Sequence, residues 1–167
     1  MAPNLWARPV GAPPFSLTEL SPLLLLQAAL FVALLLAASI LDCRTRLIPN
    51  TLCALIGAAG LLQFSPARLP GVLAALPLLV AAMGKPGSMG GGDVKFTAAA
   101  GLVLGLGGGL AGLALGLALA LAFHGALRVR ARLCRTAGTV PAALPLAPFL
   151  SLGFAAVYFM NFGGLTI

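Results

Sequence analysis

Read for its polar and apolar positions, the chain is a series of uncharged runs separated by short charged knots. The first run extends from about Pro22 to Leu41 and closes on Asp42-Cys43-Arg44-Thr45-Arg46. Pro49 and Asn50 open a second, to about Phe64, and Ser65-Pro66-Ala67-Arg68 reads as a short turn. A third run, about Leu69 to Met83, contains Pro77, which is expected to kink it. Residues 84–92 read as a glycine-rich loop. From Phe96 to Leu127 there follow 32 residues without a Lys, Arg, Asp or Glu. As one helix at ~1.5 Å per residue, that run would overshoot a ~30 Å hydrocarbon core by about half. The cluster Gly105–Gly109 supplies a bend, dividing the run into spans at about Asp93–Leu106 and Leu110–Leu127. Arg128, Arg130, Arg132 and Arg135 form a basic loop, and Pro141, Pro145 and Pro148 lead into a last span, about Leu146 to Phe162.

These patterns predict an all-α, polytopic membrane protein of about six transmembrane helices. Residues 22–167 form its membrane domain, and residues 1–21 a Pro-rich lead-in with Trp6 and Phe15 at headgroup level. The composition agrees: 60 % hydrophobic, 8 % charged and a mean hydropathy of +1.09 exclude an ordinary soluble domain. The Leu/Ala/Gly runs lack the alternation that a membrane β-barrel needs. No removable signal peptide is read at the N-terminus.

The net charge of +7 does not imply a nucleic-acid partner, because the cations sit between spans, where they anchor and orient helices against anionic lipid. With six spans, eight of the ten cations fall on one side and only Arg8 and Arg68 on the other. The positive-inside rule then puts both termini outside the cytoplasm. Treating Phe96–Leu127 as one span would set the arginine cluster opposite Lys85 and Lys95. Six spans also bring Asp42, which ends the first span going inward, to the same cytoplasmic depth as Asp93, which begins the fourth coming outward.

Only three acids exist, Glu19, Asp42 and Asp93, and a carboxylate at the edge of a span is a functional hypothesis by default. Two carboxyls held close share a proton. One can then take a proton from a water attacking a peptide carbonyl while the other donates to the carbonyl oxygen. Gly90–Gly92 carry no side chains and let a substrate backbone approach Asp93. The structural alternative is an N-cap role for Asp93 and an ion pair of Asp42 with Arg44 or Arg46. Other chemistries are poorly served. His124 is the one histidine, Ser88 with Lys85 or Lys95 lacks a supporting motif, and Cys43, Cys53 and Cys134 have no metal-ligand spacing, so no metal or cofactor is expected.

The segment Asp42-Cys43-Arg44-Thr45-Arg46-Leu47-Ile48-Pro49-Asn50 resembles the first-aspartate motif of the type IV prepilin peptidases, D-x-R-x-x-x-I-P-N. Gly90-Gly91-Gly92-Asp93-Val94-Lys95 resembles their second, G-x-G-D-x-K, and residues 144–153 their proline-rich opening of the last span. The resemblance runs from about residue 22 to the end. It implies an aspartic peptidase of the bacterial inner membrane that removes the basic leader of prepilin-like proteins after a glycine, at the cytoplasmic face, in the setting of pilus or secretion machinery. Asp42 and Asp93 then fall on the catalytic pair. Gly90, Gly92, Lys95, Ile48, Pro49 and Asn50 fall on the supporting motif, Lys95 as a cation near the pair or as a topology anchor, and Pro49 and Asn50 shaping the turn into the second span. Larger members carry a methylating domain with paired cysteine motifs. No CxxC occurs here, so cleavage without N-methylation is expected, as in the short Flp/Tad-type enzymes. The rival reading is a transport subunit using the Asp pair as a proton or cation relay. It requires a polar path onward, and the outer halves of the spans offer little beyond Ser39 and Gln63.

Overall fold

A computed structural model describes residues 22–63, 65–84, 90–133 and 145–162, and every regular element among them is helical. Helix α1 spans Pro22–Thr45, α2 Asn50–Leu61, α3 Leu76–Gly84, α4 Gly91–Leu133 and α5 Ala147–Phe162, with a 3₁₀ helix, Pro66–Ala75, running directly into α3. Leu- and Ala-rich runs have high helix propensity, and in lipid a helix satisfies its own backbone. Pro22 and Pro66 open their helices, where a missing N–H is no loss. Three runs are long and apolar enough to cross a membrane: Pro22–Thr45, Pro66–Gly84 and Gly91–Ala131. The lead-in 1–21 lies outside the described residues, as do Lys85, Pro86, Ser88, Cys134, Arg135 and Pro141.

Four expectations are corrected. Helix α1 continues past Leu41 to Thr45, so Asp42 sits within its final turns. The third run becomes helical at Pro66 rather than at about Leu69. Pro77 lies in the first turn of α3, where the backbone passes from 3₁₀ to α. Gly91 and Gly92 belong to the first turn of α4 rather than to a loop. Arg128 and Arg130 extend α4, which ends only at Leu133.

The expected bend exists, at Gly105, whose φ of 78° and ψ of 177° interrupt α4. That backbone region is essentially closed to residues with a Cβ. The chain folds back there. A methyl placed on Gly109 would lie 3.1 Å from the Gly101 Cα, whereas eight residues of straight helix span about 12 Å. Residues 91–104 and 106–133 are therefore two arms. The first packs on the 3₁₀ helix, Gly101 against Gly71, while Gly109 on the second meets Ala74. The second arm lies antiparallel to α5, where methyls on Gly112 and Gly116 would sit 3.2 Å and 2.8 Å from the Cα atoms of Phe154 and Leu150. Without a hydrophobic drive between helices in lipid, such small-residue seams let backbones approach and gain dispersion.

Helix α1 is held on two sides. Buried Gln27 donates from Nε2 to the Ala59 carbonyl of α2 at 3.0 Å, and Ser151 Oγ of α5 donates to the Leu35 carbonyl at 3.1 Å. Phe31 and Tyr158 stack obliquely at 5.1 Å, and Phe96 meets Phe154 edge-on at 5.9 Å. With Leu35, Ile56 and Leu150, these aromatics form the core where α1, α2, the first arm of α4 and α5 converge.

Two outcomes test this architecture. Gly105→Val should cost about 1–3 kcal/mol and lower the amount of protein in membranes, whereas Gly125→Ala, where an added methyl meets nothing, should not. Quantitative blotting of membrane fractions reads both. In a chain freed of native cysteines, a cysteine at Arg128 should share the shielding of one at Leu47 from an impermeant thiol reagent in intact cells, while one at Ala67 is labelled. Labelling at 128 but not 47 would mean that α4 crosses without folding back.

Candidate active site

Asp42 and Asp93 come from different parts of the chain, and local structure explains how each is presented. Helix α1 ends through Arg46, whose φ of 54° is a left-handed terminus, with Arg46 N–H donating to the Asp42 carbonyl at 2.9 Å. Thr45 Oγ1 donates to the Leu41 carbonyl at 2.9 Å and lies 3.4 Å from the Leu47 amide, stitching the turn across both sides. Leu47 and Ile48 are non-helical, and extended Pro49 (φ −67°, ψ 141°) caps α2. The reversal takes four residues. It leaves Asp42 facing inward, 7 % exposed, while Cys43, Arg44 and Arg46 are exposed.

Asp93 is the third residue of α4, not its cap; its N–H donates to the Gly90 carbonyl at 3.1 Å. A carboxylate in a first helical turn is favoured by the helix dipole. Two contacts bring this turn onto the α1–α2 reversal. Gly92 lies against Ile48 so closely that a methyl on it would be 3.2 Å from the Ile48 Cβ. Lys95 Nζ donates to Asn50 Oδ1 at 2.9 Å. Across these contacts the charge of Asp42 acts on the Asp93 carboxyl. Gly90 lies beside the Asp93 carboxylate, its would-be methyl 3.5 Å from Oδ2, and Gly91 borders open space.

All eight residues singled out in the sequence thus gather at one end of the molecule. Ile48 and Gly92 make the contact between the segments, Asn50 and Lys95 the hydrogen bond, and Pro49 the entrance to α2. Lys95 is committed to Asn50.

One participant escapes sequence reasoning. Asp42 does not pair with Arg44 or Arg46; its Oδ2 accepts the main-chain N–H of Ala147, the first residue of α5, at 2.9 Å. That amide has no acceptor within its own helix. Pro145 and Pro148 mark where α5 begins, but no residue type signals that its leading amide meets a carboxylate 105 positions away.

The sequence profile of the type IV leader peptidase family matches residues 29–160, which include both aspartate segments and the opening of α5. No curated protein and no solved structure gives a significant match. A match over most of the chain, carried by apolar helices long enough to cross a bilayer, establishes that this protein belongs to the type IV leader peptidase family, membrane proteases whose substrates are prepilins.

Proposed function

We propose that the protein is an aspartic endopeptidase in which Asp42 and Asp93 form the catalytic dyad, cleaving the leader of type IV or Flp-like prepilins after a glycine at the cytoplasmic face of the bacterial inner membrane. The observation that carries this reading is the convergence of two acids, one buried in the last turns of α1 and one in the first turn of α4, against a chain that has only one other acid. Two carboxyls within each other's field hold one proton between them. In that state one member takes a proton from water as its oxygen attacks the scissile carbonyl, and the other protonates the carbonyl oxygen. The tetrahedral intermediate collapses as a proton passes to the departing amine. Gly90 and Gly91 leave room for an extended substrate backbone beside Asp93. We read residues 22–167 as one peptidase domain preceded by the lead-in. Cleavage proceeds without N-methylation: no connection between successive helices exceeds the 13 residues from Leu133 to Ala147, too few for an inserted domain.

Co-expression with a candidate prepilin, scored by the shift from precursor to mature band, tests the dyad. Asp42→Asn and Asp93→Asn should each abolish processing at normal membrane levels. Processing by either variant would overturn the mechanism and turn attention to ion flux. The Lys95–Asn50 bond should behave as a single unit. Lys95→Ala and Asn50→Ala should each slow processing about tenfold or less, the double variant should be no slower than either, and Lys95→Gln, which can still donate, should retain most activity.

A further inference from the structure

The two carboxyls are held differently, and the difference lies in α5. Asp42 Oδ2 is gripped by the Ala147 N–H at 2.9 Å in a place where Asp42 is 7 % exposed and Ala147 wholly buried. That amide is not free to wander. One turn further along α5, buried Ser151 is bonded to the Leu35 carbonyl, two turns back from Asp42 on α1. The other side of α5 is locked to the second arm of α4 through Gly112, Gly116 and Gly153. Among the described residues, the other charged and titratable groups toward this end do not compete for Asp42. Arg44 and Arg46 on α1 are exposed, as are Arg128 and Arg130 on the second arm of α4. Lys95 on the first arm is bonded to Asn50. Cys53 on α2 is buried in the core and His124 is half-buried on the second arm of α4. Among the described residues no side chain donates a hydrogen bond to Asp93, which rides on a first turn flanked by Gly90, Gly91 and Gly92.

We propose that the main-chain N–H of Ala147 is the positioning group for Asp42: it fixes Oδ2 and so aims Oδ1 at the attacking water, making Asp42 the rigid member of the pair and Asp93 the one that adjusts to the substrate. This rests on the dyad reading above. A hydrogen bond from a helix N-terminus to a carboxylate is charge-assisted and directional. Misplacement of a catalytic group by about 1 Å costs roughly 100-fold in rate. The α5 opening therefore contributes its backbone to the site, while the side chain of residue 147 contributes nothing there.

Proline is the informative substitution, because the first helical position tolerates it and the N–H is deleted. In full-length enzyme in membranes, Ala147→Pro should lower kcat on prepilin by roughly 10- to 100-fold with KM changed less than about twofold. The conservative Ala147→Gly restores the N–H and should return kcat to within about threefold of wild type. Wild-type kcat in Ala147→Pro, a loss confined to KM, or an equal loss in Ala147→Gly would overturn the proposal. Since a proline ring adds bulk at a buried site, amide hydrogen exchange provides a second reading. The Ala147 amide should exchange slowly in wild type and in Asp42→Asn, whose side-chain oxygen still accepts, and rapidly in Asp42→Ala. Equal exchange in all three would also overturn it. Retained processing in Asp42→Asn or Asp93→Asn would instead mean that the dyad itself is wrong, so the two failures are distinguishable.

Discussion

A carboxylate can be buried among apolar helices only where a donor meets it, and here the donor for Asp42 is the leading amide of α5. Much of the structure follows from that one requirement. For Ala147 to reach Asp42, α5 must lie antiparallel to α1 with its first turn level with the last turns of α1. The Ser151 hydroxyl on the Leu35 carbonyl and the Phe31–Tyr158 stack keep the two helices in that register. The bond satisfies an amide and a carboxylate that would each be costly to leave unpaired.

The second constraint is the approach of backbones through glycine. Lipid offers helices little reason to associate by hydrophobicity, so the close contacts Gly101–Gly71, Gly109–Ala74 and Gly112–Gly116 with α5 carry the packing. The fold-back at Gly105 multiplies those contacts, since both arms of α4 press on the same 3₁₀ helix. A 3₁₀ run of ten residues is unusually long. It suits a segment whose Gly71 and Ala74 must lie flat against two arms at once. The same geometry keeps the end that holds Asp42 and Asp93 compact, because Gly92 on Ile48 is a glycine contact of the same kind.

The candidate site stands out in the sequence because acids are so scarce in this chain that their positions carry information. Asp42 and Asp93 stand out against apolar surroundings, and the residues beside them, Ile48, Pro49, Asn50, Gly90, Gly92 and Lys95, form two short segments that the fold brings into contact. Element boundaries were less legible. Nearly every face of α1 and α4 is apolar, so no amphipathic stripe marks where a helix stops or which side is buried. That is why the ends of α1 and α4 and the start of the third helical run had to be corrected, each by a few residues to a turn or two.

By itself, then, the sequence determined that the chain is a helical membrane protein, that two of its three acids stand at the edges of apolar runs, and that a bend falls among Gly105–Gly109. These follow from composition, from the rarity of charge and from the conformational range of glycine, all local properties. The tertiary structure alone decided the rest: that Gly105 and not its neighbours makes the turn, that Lys95 serves Asn50, and that Asp42 is held by the backbone of α5. Each of these depends on an encounter between segments distant in the chain. An amide N–H is the same at every residue but proline, so nothing in the one-dimensional pattern marks the one that will meet a carboxylate.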